Sequence, residues 1–250
     1  MSGHSKWATI KHQKGAKDQK RAKVFAKLLR QVEVAAREGG GDLNSNATLR
    51  TMYTKARDQS VPIDTIERAI KRGSGELEGV RYEAVNYEGY APNGVAVYVE
   101  TLTDNRNRTG AEMRSIFTKL GGSLAEPGAV AWQFERKGVI VLPKKVSEDD
   151  LMEVVLEAGG DDVIDDGDTW RVTCEASSLT AVRAALEEAK IAFDSADADM
   201  QPTTSVKLET ADAAKSVLRL IDALDDHDDV QNVSANFDID DSILQTLEAV

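Results

Sequence analysis

The chain has 250 residues, of which 41% are hydrophobic and 30% charged, enough apolar material for two or three modest cores and too much for wholesale disorder. Its formal charge of −12 is unevenly placed: residues 1–75 hold 16 Lys/Arg against 7 Asp/Glu, net +9, and residues 76–250 hold 15 against 36, net −21. No run approaches the ~20 apolar residues that span a bilayer, the segment Met1 to Trp7 lacks the apolar core of a secretory signal, and a single cysteine, Cys174, excludes a disulfide scaffold and fits a reducing cytoplasm.

Residues 1–16 are polar, basic and aperiodic, and read as an extended arm. From about Lys17 to Glu38, Val24, Phe25, Leu28, Leu29, Val32, Ala35 and Ala36 recur at helical spacing and form one apolar stripe. Lys20, Lys23, Lys27 and Arg30 form a second stripe on a different face. Gly39, Gly40 and Gly41 end this helix and read as a stop, since a phosphate cradle needs glycines that open a helix. Shorter helices are expected near 45–59 and 63–72, and Gly73-Ser-Gly75 with the charged segment to Gly79 reads as a linker. Three amphipathic helices in succession can bury their stripes together as a small bundle.

After residue 80 the period changes to two. Tyr82–Tyr90 and Val95–Leu102 read as strands around the turn Ala91-Pro-Asn-Gly94. A helix is expected near 107–120, then a strand around 130–135. The next stretch reads β (138–142), α (147–158), β (162–166), β (170–175), α (178–190), β (191–198), the split βαβ or ferredoxin-like order, with Ser147 and Asp150 as a capping box. Strand 203–209, helix 211–225, strand 230–237 and a last short helix complete the chain. The fold class expected is therefore α+β and multidomain: a helical N-terminal domain (1–79), a discontinuous α/β domain (80–135 with 203–250), and a ferredoxin-like domain (136–202) inserted in it.

Catalytic constellations are hard to find. His4, His12, His227 and Cys174 stand at no metal-ligand spacing, and no nucleophile elbow, HExxH or P-loop motif occurs. Asp161, Asp162, Asp165, Asp166 and Asp168 lack the order of a calcium loop and read as a solvated acidic turn, as do Asp225, Asp226, Asp228 and Asp229. The expectation is a non-enzyme with no catalytic residues, no metal, no cofactor and no obligatory small molecule.

The basic arm is the stronger signal. Lys6, Lys11, Lys14, Lys17, Lys20, Arg21, Lys23, Lys27 and Arg30 fall in one short span whose only acid is Asp18. A solvated helix face is the ordinary explanation of a charge run, but pairing four residues apart cannot account for this bias. Stacked cations repel one another, and a polyanion relieves that repulsion while releasing counterions. Trp7 could stack on a base or pack on the bundle. Arg106 and Arg108, in Thr101 to Gly110, stand beside the expected start of a helix, where they either seat a phosphate or carboxylate or simply point outward from a capped turn. No helix-turn-helix, zinc finger or paired stacking aromatics support base-specific readout.

Long segments here resemble a known family. Gly3-His-Ser-Lys-Trp-Ala-Thr-Ile-Lys-His-Gln-Lys-Gly15 with Asp18-Gln-Lys-Arg-Ala-Lys-Val-Phe-Ala-Lys-Leu28 resembles the opening signature of the YebC/PmpR family, and Tyr87 to Ala96 and Thr103 to Thr109 resemble its central motifs. Ala91 and Asn93 stand where that family commonly has glycine. The resemblance runs end to end and implies three domains, a helical one and two α/β domains of which one interrupts the other. It implies a bacterial cytoplasmic, DNA-binding transcriptional regulator. Relatives that include a mitochondrial translational activator imply an alternative, a ribosome-associated factor gripping ribosomal or transfer RNA and aiding synthesis of proline-rich stretches. Either way the partner is nucleic acid, with no membrane involved.

Overall fold

The structure, a computed structural model, describes residues 18–240 with 242 and 243, and side chains from Arg21 onward. Helix α1 (Asp18–Gly39) carries Leu28, Val32, Ala35 and Ala36 into a core shared with Leu49 and Ala56 of α2 (Ala47–Asp58) and with Ile66 and Ala69 of α3 (Ile63–Ser74). Val24, at the edge of the same stripe, stays 41% exposed. Asn46 ties the end of α1 to the start of α2: its Nδ2 donates to the carbonyls of Ala35 and Gly40, and its Oδ1 caps α2 at Leu49 N. The glycines after α1 stop it as expected, with Gly40 at φ +86°. The expected linker begins later than the sequence suggests. Gly73 is still helical because α3 crosses α1 there, and a Cβ on it would lie 2.2 Å from the Glu33 carbonyl oxygen.

The next unit is built on β1 (Glu83–Tyr90) and β2 (Ala96–Thr103), which pair antiparallel across a tight turn with Asn93 and Gly94 at positive φ. Asn is among the few side chains that tolerate this region, so the turn survives without the glycine common at that position. Helix α4 (Arg106–Lys119) follows, then β3 (Ser123–Ala125), a strand that sequence periodicity missed because it is three residues long. The strand expected at 130–135 is a 3-10 turn (Ala131–Gln133) running into β4 (Phe134–Pro143). The carboxylate of buried Glu88 fixes that turn by accepting from the amides of Gly128, Val130 and Ala131 at 2.6–2.8 Å. Burial alone would raise the Glu88 pKa, but these three N–H groups hold it below the ordinary carboxylate value.

From β4 the chain continues through α5 (Glu148–Glu157), β5 (Gly160–Asp165), β6 (Thr169–Glu175), α6 (Leu179–Glu188) and β7 (Ser195–Pro202). The four strands pair antiparallel in the order β5-β6-β4-β7, the split βαβ arrangement, and Ser147 caps α5 at Asp150 N. Ile140, Leu142, Leu151, Val172, Val182 and Leu186 form their core. The chain then passes β8 (Val206–Leu208), α7 (Ala211–Asp225), β9 (Val230–Ala235) and β10 (Phe237–Ile239). β9 pairs with β2, so the first sheet reads β3-β1-β2-β9, while β8 and β10 pair in parallel. Helices α4 and α7 cover one face through Met113, Phe117, Leu220 and Leu224. Ala96 and Tyr98 turn to the other face, where they meet Phe134 and Met200. Of the expected last helix only Ser242 and Ile243 are described. The protein is α+β and multidomain.

Candidate nucleic-acid interface

Of the cations singled out in the sequence, Lys6, Lys11, Lys14 and Lys17, with Trp7, lie outside the described residues, as does the Lys20 side chain. Arg21 stacks over the Phe25 ring at 5.3 Å. The remaining three of the stripe face the protein itself. Lys23 Nζ donates to the Asp226 carbonyl at 3.0 Å and to its carboxylate at 3.2 Å. One turn on, Lys27 Nζ reaches the Asp225 carbonyl at 2.8 Å and carboxylate at 3.4 Å. Arg30 reaches the Asp228 carbonyl at 2.5 Å and the Asp229 carboxylate at 3.0 Å, and its guanidinium lies over the Tyr82 ring. Gln31 Nε2 adds a bond to Gln231 Oε1.

The acidic turn after α7, expected to be solvated, is thus the seat of the α1 cations. The reason lies in α7 itself. A helix C-terminus carries a partial negative charge and unpaired carbonyls, which basic residues of the last turn usually neutralise. α7 has none there and ends in aspartates, so the cations come from another domain. Sequence patterning along one helix could not find this, because the partners are about 200 positions away.

The second cluster converges on the same turn. At the start of α4, Asn105 caps Arg108 N at 3.1 Å, and Thr103 and Thr109 share a hydroxyl bond of 2.7 Å. The carboxylate beside this helix N-terminus belongs to Asp229, which accepts from Thr109 Oγ1 at 2.7 Å and from Arg108 at 2.6 Å. Arg108 also pairs with Asp104 at 2.9 Å. Burial works to raise the Asp229 pKa, but the Thr109 hydroxyl and the Arg108 and Arg30 guanidiniums hold it below the ordinary value. Arg106, in the first turn of α4, is exposed.

Glu112, His227 and Asp229 also bring three groups of metal-ligating type within 4.8 Å of one another. Their hydrogen bonds describe a strut. Asp229 N–H donates to His227 Nδ1 at 3.1 Å, which leaves the proton on Nε2 to face Glu112 at 2.8 Å. Both Asp229 oxygens already accept from cationic groups, so a metal there would have to displace two guanidiniums. An open cleft of about 550 Å³ separates α2 from α6. Its charges pair across it, Lys55 with Asp197 at 2.7 Å and Arg183 with Asp58 at 2.9 Å. No helix among the described residues is long and apolar enough to cross a membrane.

Comparison with known proteins places this architecture. Residues 5–76 match the family description "TACO1/YebC protein N-terminal domain" and residues 82–237 match "TACO1/YebC second and third domain". A "probable transcriptional regulatory protein" of Kineococcus radiotolerans is 54% identical over 99% of both chains. A protein of the same description from Streptomyces coelicolor is 53% identical over the full length of both. The crystal structure of a conserved hypothetical protein from Aquifex aeolicus superposes with a TM-score of 0.83 at 44% identity, covering 91% of this chain and 94% of that one. The chain belongs to the TACO1/YebC family.

Proposed function

We propose that the protein is a non-enzymatic, nucleic-acid-binding regulator of gene expression, acting on DNA in the cytoplasm through its N-terminal domain. The observation that carries this reading is the row of anionic oxygens seated along one edge of α1. Lys23, Lys27 and Arg30 engage carboxylates and carbonyls at successive turns of the helix, and cations aligned on one edge to hold oxygens are the chemistry that neutralises a phosphate backbone. Arg57, Arg68, Lys71 and Arg106 are further exposed cations, and Lys6, Trp7, Lys11, Lys14, Lys17 and Lys20 precede that edge in the sequence. The relatives' description as transcriptional regulators supports DNA as the first target. We further read residues 136–202 as a domain inserted between 80–135 and 203–250.

Contacts of this kind go to oxygens and not to base edges, which favours a second reading: a ribosome-associated factor that reads RNA by backbone and shape. Anisotropy titrations of duplex DNA, single-stranded RNA and tRNA, with ribosome co-sedimentation, separate the two. Binding that weakens with log salt at roughly 0.7–0.9 per phosphate contact is expected. The quadruple exchange of Lys20, Lys23, Lys27 and Arg30 for Gln should remove most of it while circular dichroism stays unchanged. Undiminished affinity in that variant overturns the reading.

A further inference from the structure

We infer that the acidic end of α7 is a built-in competitor for the polyanion, so that the N-terminal domain must leave it before Lys23, Lys27 and Arg30 can grip a phosphate backbone. The inference rests on the functional reading above and adds to it a regulation of the same site. Three observations carry it. The cations proposed above as phosphate ligands are the same ones that hold Asp225, Asp226, Asp228 and Asp229, so occupancy by the turn and by a nucleic acid is mutually exclusive. The turn imitates a phosphate row, with a carboxylate or carbonyl oxygen offered at each successive turn of α1 and the negative end of α7 behind them. The seam is also graded. Lys23 and Asp226 are 47% and 71% exposed at its rim, whereas Asp229 at its inner end is 4% exposed.

With an open rim and a firm inner end, the Lys23 pair parts most easily, and release of Arg30 from Asp229 is the last step before the domain leaves. Gln31 Oε1, enclosed in the seam with no hydrogen-bond partner among the described residues, weakens the closed arrangement further. Salt loosens the seam and the nucleic-acid complex alike. The fall of affinity with salt is therefore shallower than the cation count predicts as long as the seam must open first.

The test compares four forms of the full chain in binding a 30-base-pair duplex and a single-stranded RNA at low and moderate salt. Asp225→Asn with Asp226→Asn removes the two outer carboxylates and keeps the carbonyls. Asp149→Asn with Glu153→Gln, on exposed positions of α5, removes the same charge elsewhere. Gln31→Cys with Gln231→Cys, joined by a short bis-maleimide, locks the seam shut; Cys174 is buried and does not interfere. The Asp225/Asp226 variant is expected to bind at least about 5-fold tighter than the wild type, the lower end of ordinary coupling between two sites. It should also show a steeper salt dependence, the α5 variant should stay within about 2-fold of wild type, and the cross-linked form should lose at least about 5-fold against its own uncross-linked form. Equal gains in the two charge variants, or wild-type binding by the locked form, overturn the inference and leave the functional reading standing. Failure of every form to bind either polymer overturns both.

Discussion

At the residue scale the junction between domains holds one acid whose ionisation opposes the fold. Asp199, on β7, accepts from Asn232 Nδ2 at 3.0 Å. Burial and the neighbouring Asp197 push its pKa from 3.8 to about 6, with Glu100 adding to the push and Lys55 and Arg136 working against it. The folded state therefore binds this proton more tightly than the unfolded chain does. Its contribution to stability is full below about pH 4 and is lost as pH rises through about 6. At ~1.4 kcal/mol per pK unit, Asp199→Asn, which can still accept from Asn232, should stabilise the protein at pH 7.5 by about 1–3 kcal/mol. It should also flatten the stability curve between pH 4 and 6; urea midpoints at pH 4.5 and 7.5 measure both, and an unchanged midpoint at the higher pH rules it out. Glu88 is the opposite case, a buried carboxylate fully used as an acceptor. Glu88→Gln offers one oxygen and an unwanted donor to three amides, at a cost of about 1–3 kcal/mol. Hydrogen exchange at Gly128, Val130 and Ala131 should accelerate before the rest of the sheet responds.

At the element scale the local signals in the sequence map well onto what formed. The stripe Leu28, Val32, Ala35 and Ala36 is the buried face of α1, the turn at 91–94 joins β1 to β2, and Asn105 and Ser147 cap the helices expected to follow them. Each depends on residues within a few positions of one another, which is why periodicity and capping chemistry find them. The partners of the basic stripe were not legible. A run of cations looks the same whether it faces solvent, phosphate or a distant acidic turn, and only the folded chain brings Asp225 to Lys27. Gly73 was misread for a related reason. Glycine near a helix end normally signals a stop, yet here its missing Cβ lets α3 lie against the Glu33 carbonyl. In an open helix Gly→Ala would stabilise by about 0.5–1 kcal/mol. At position 73 the added methyl meets backbone that cannot turn aside, so Gly73→Ala should destabilise by about 1–3 kcal/mol as overpacking does. A midpoint that moves upward would show that the two helices can separate freely.

At the scale of the whole molecule the two attachments of the N-terminal domain differ in kind from the attachment between the other units. Among the described residues, its apolar core comprises only positions 25–70, and no buried hydrophobic cluster joins it to the remainder. It is held instead by polar contacts, chiefly the ion pairs of Lys23, Lys27 and Arg30 on the α7 turn, Lys55 on Asp197 and Asp58 on Arg183, with the Gln31–Gln231 bond beside them. The two sheets, by contrast, meet through Tyr98, Phe134 and Met200, an apolar contact indifferent to salt. Exposed pairs such as Lys23–Asp226 contribute about 0–1 kcal/mol each and are screened within ~3 Å at 1 M salt, against ~10 Å at 0.1 M, whereas Arg30–Asp229, with Asp229 4% exposed, is the pair least weakened by salt. Raising salt from 0.05 to 1 M should therefore release the N-terminal domain as a folded bundle while the sheets stay together. Small-angle scattering should report a larger radius of gyration at 1 M salt with unchanged helical content. Trypsin should then cut after Arg81, in the exposed stretch before β1, faster than at low salt. The Asp225→Asn and Asp226→Asn double variant should reach the same expanded state at lower salt. Scattering curves that coincide at both salt concentrations would mean that something other than these charges fastens the domain, and the charge segregation along the chain would need another explanation.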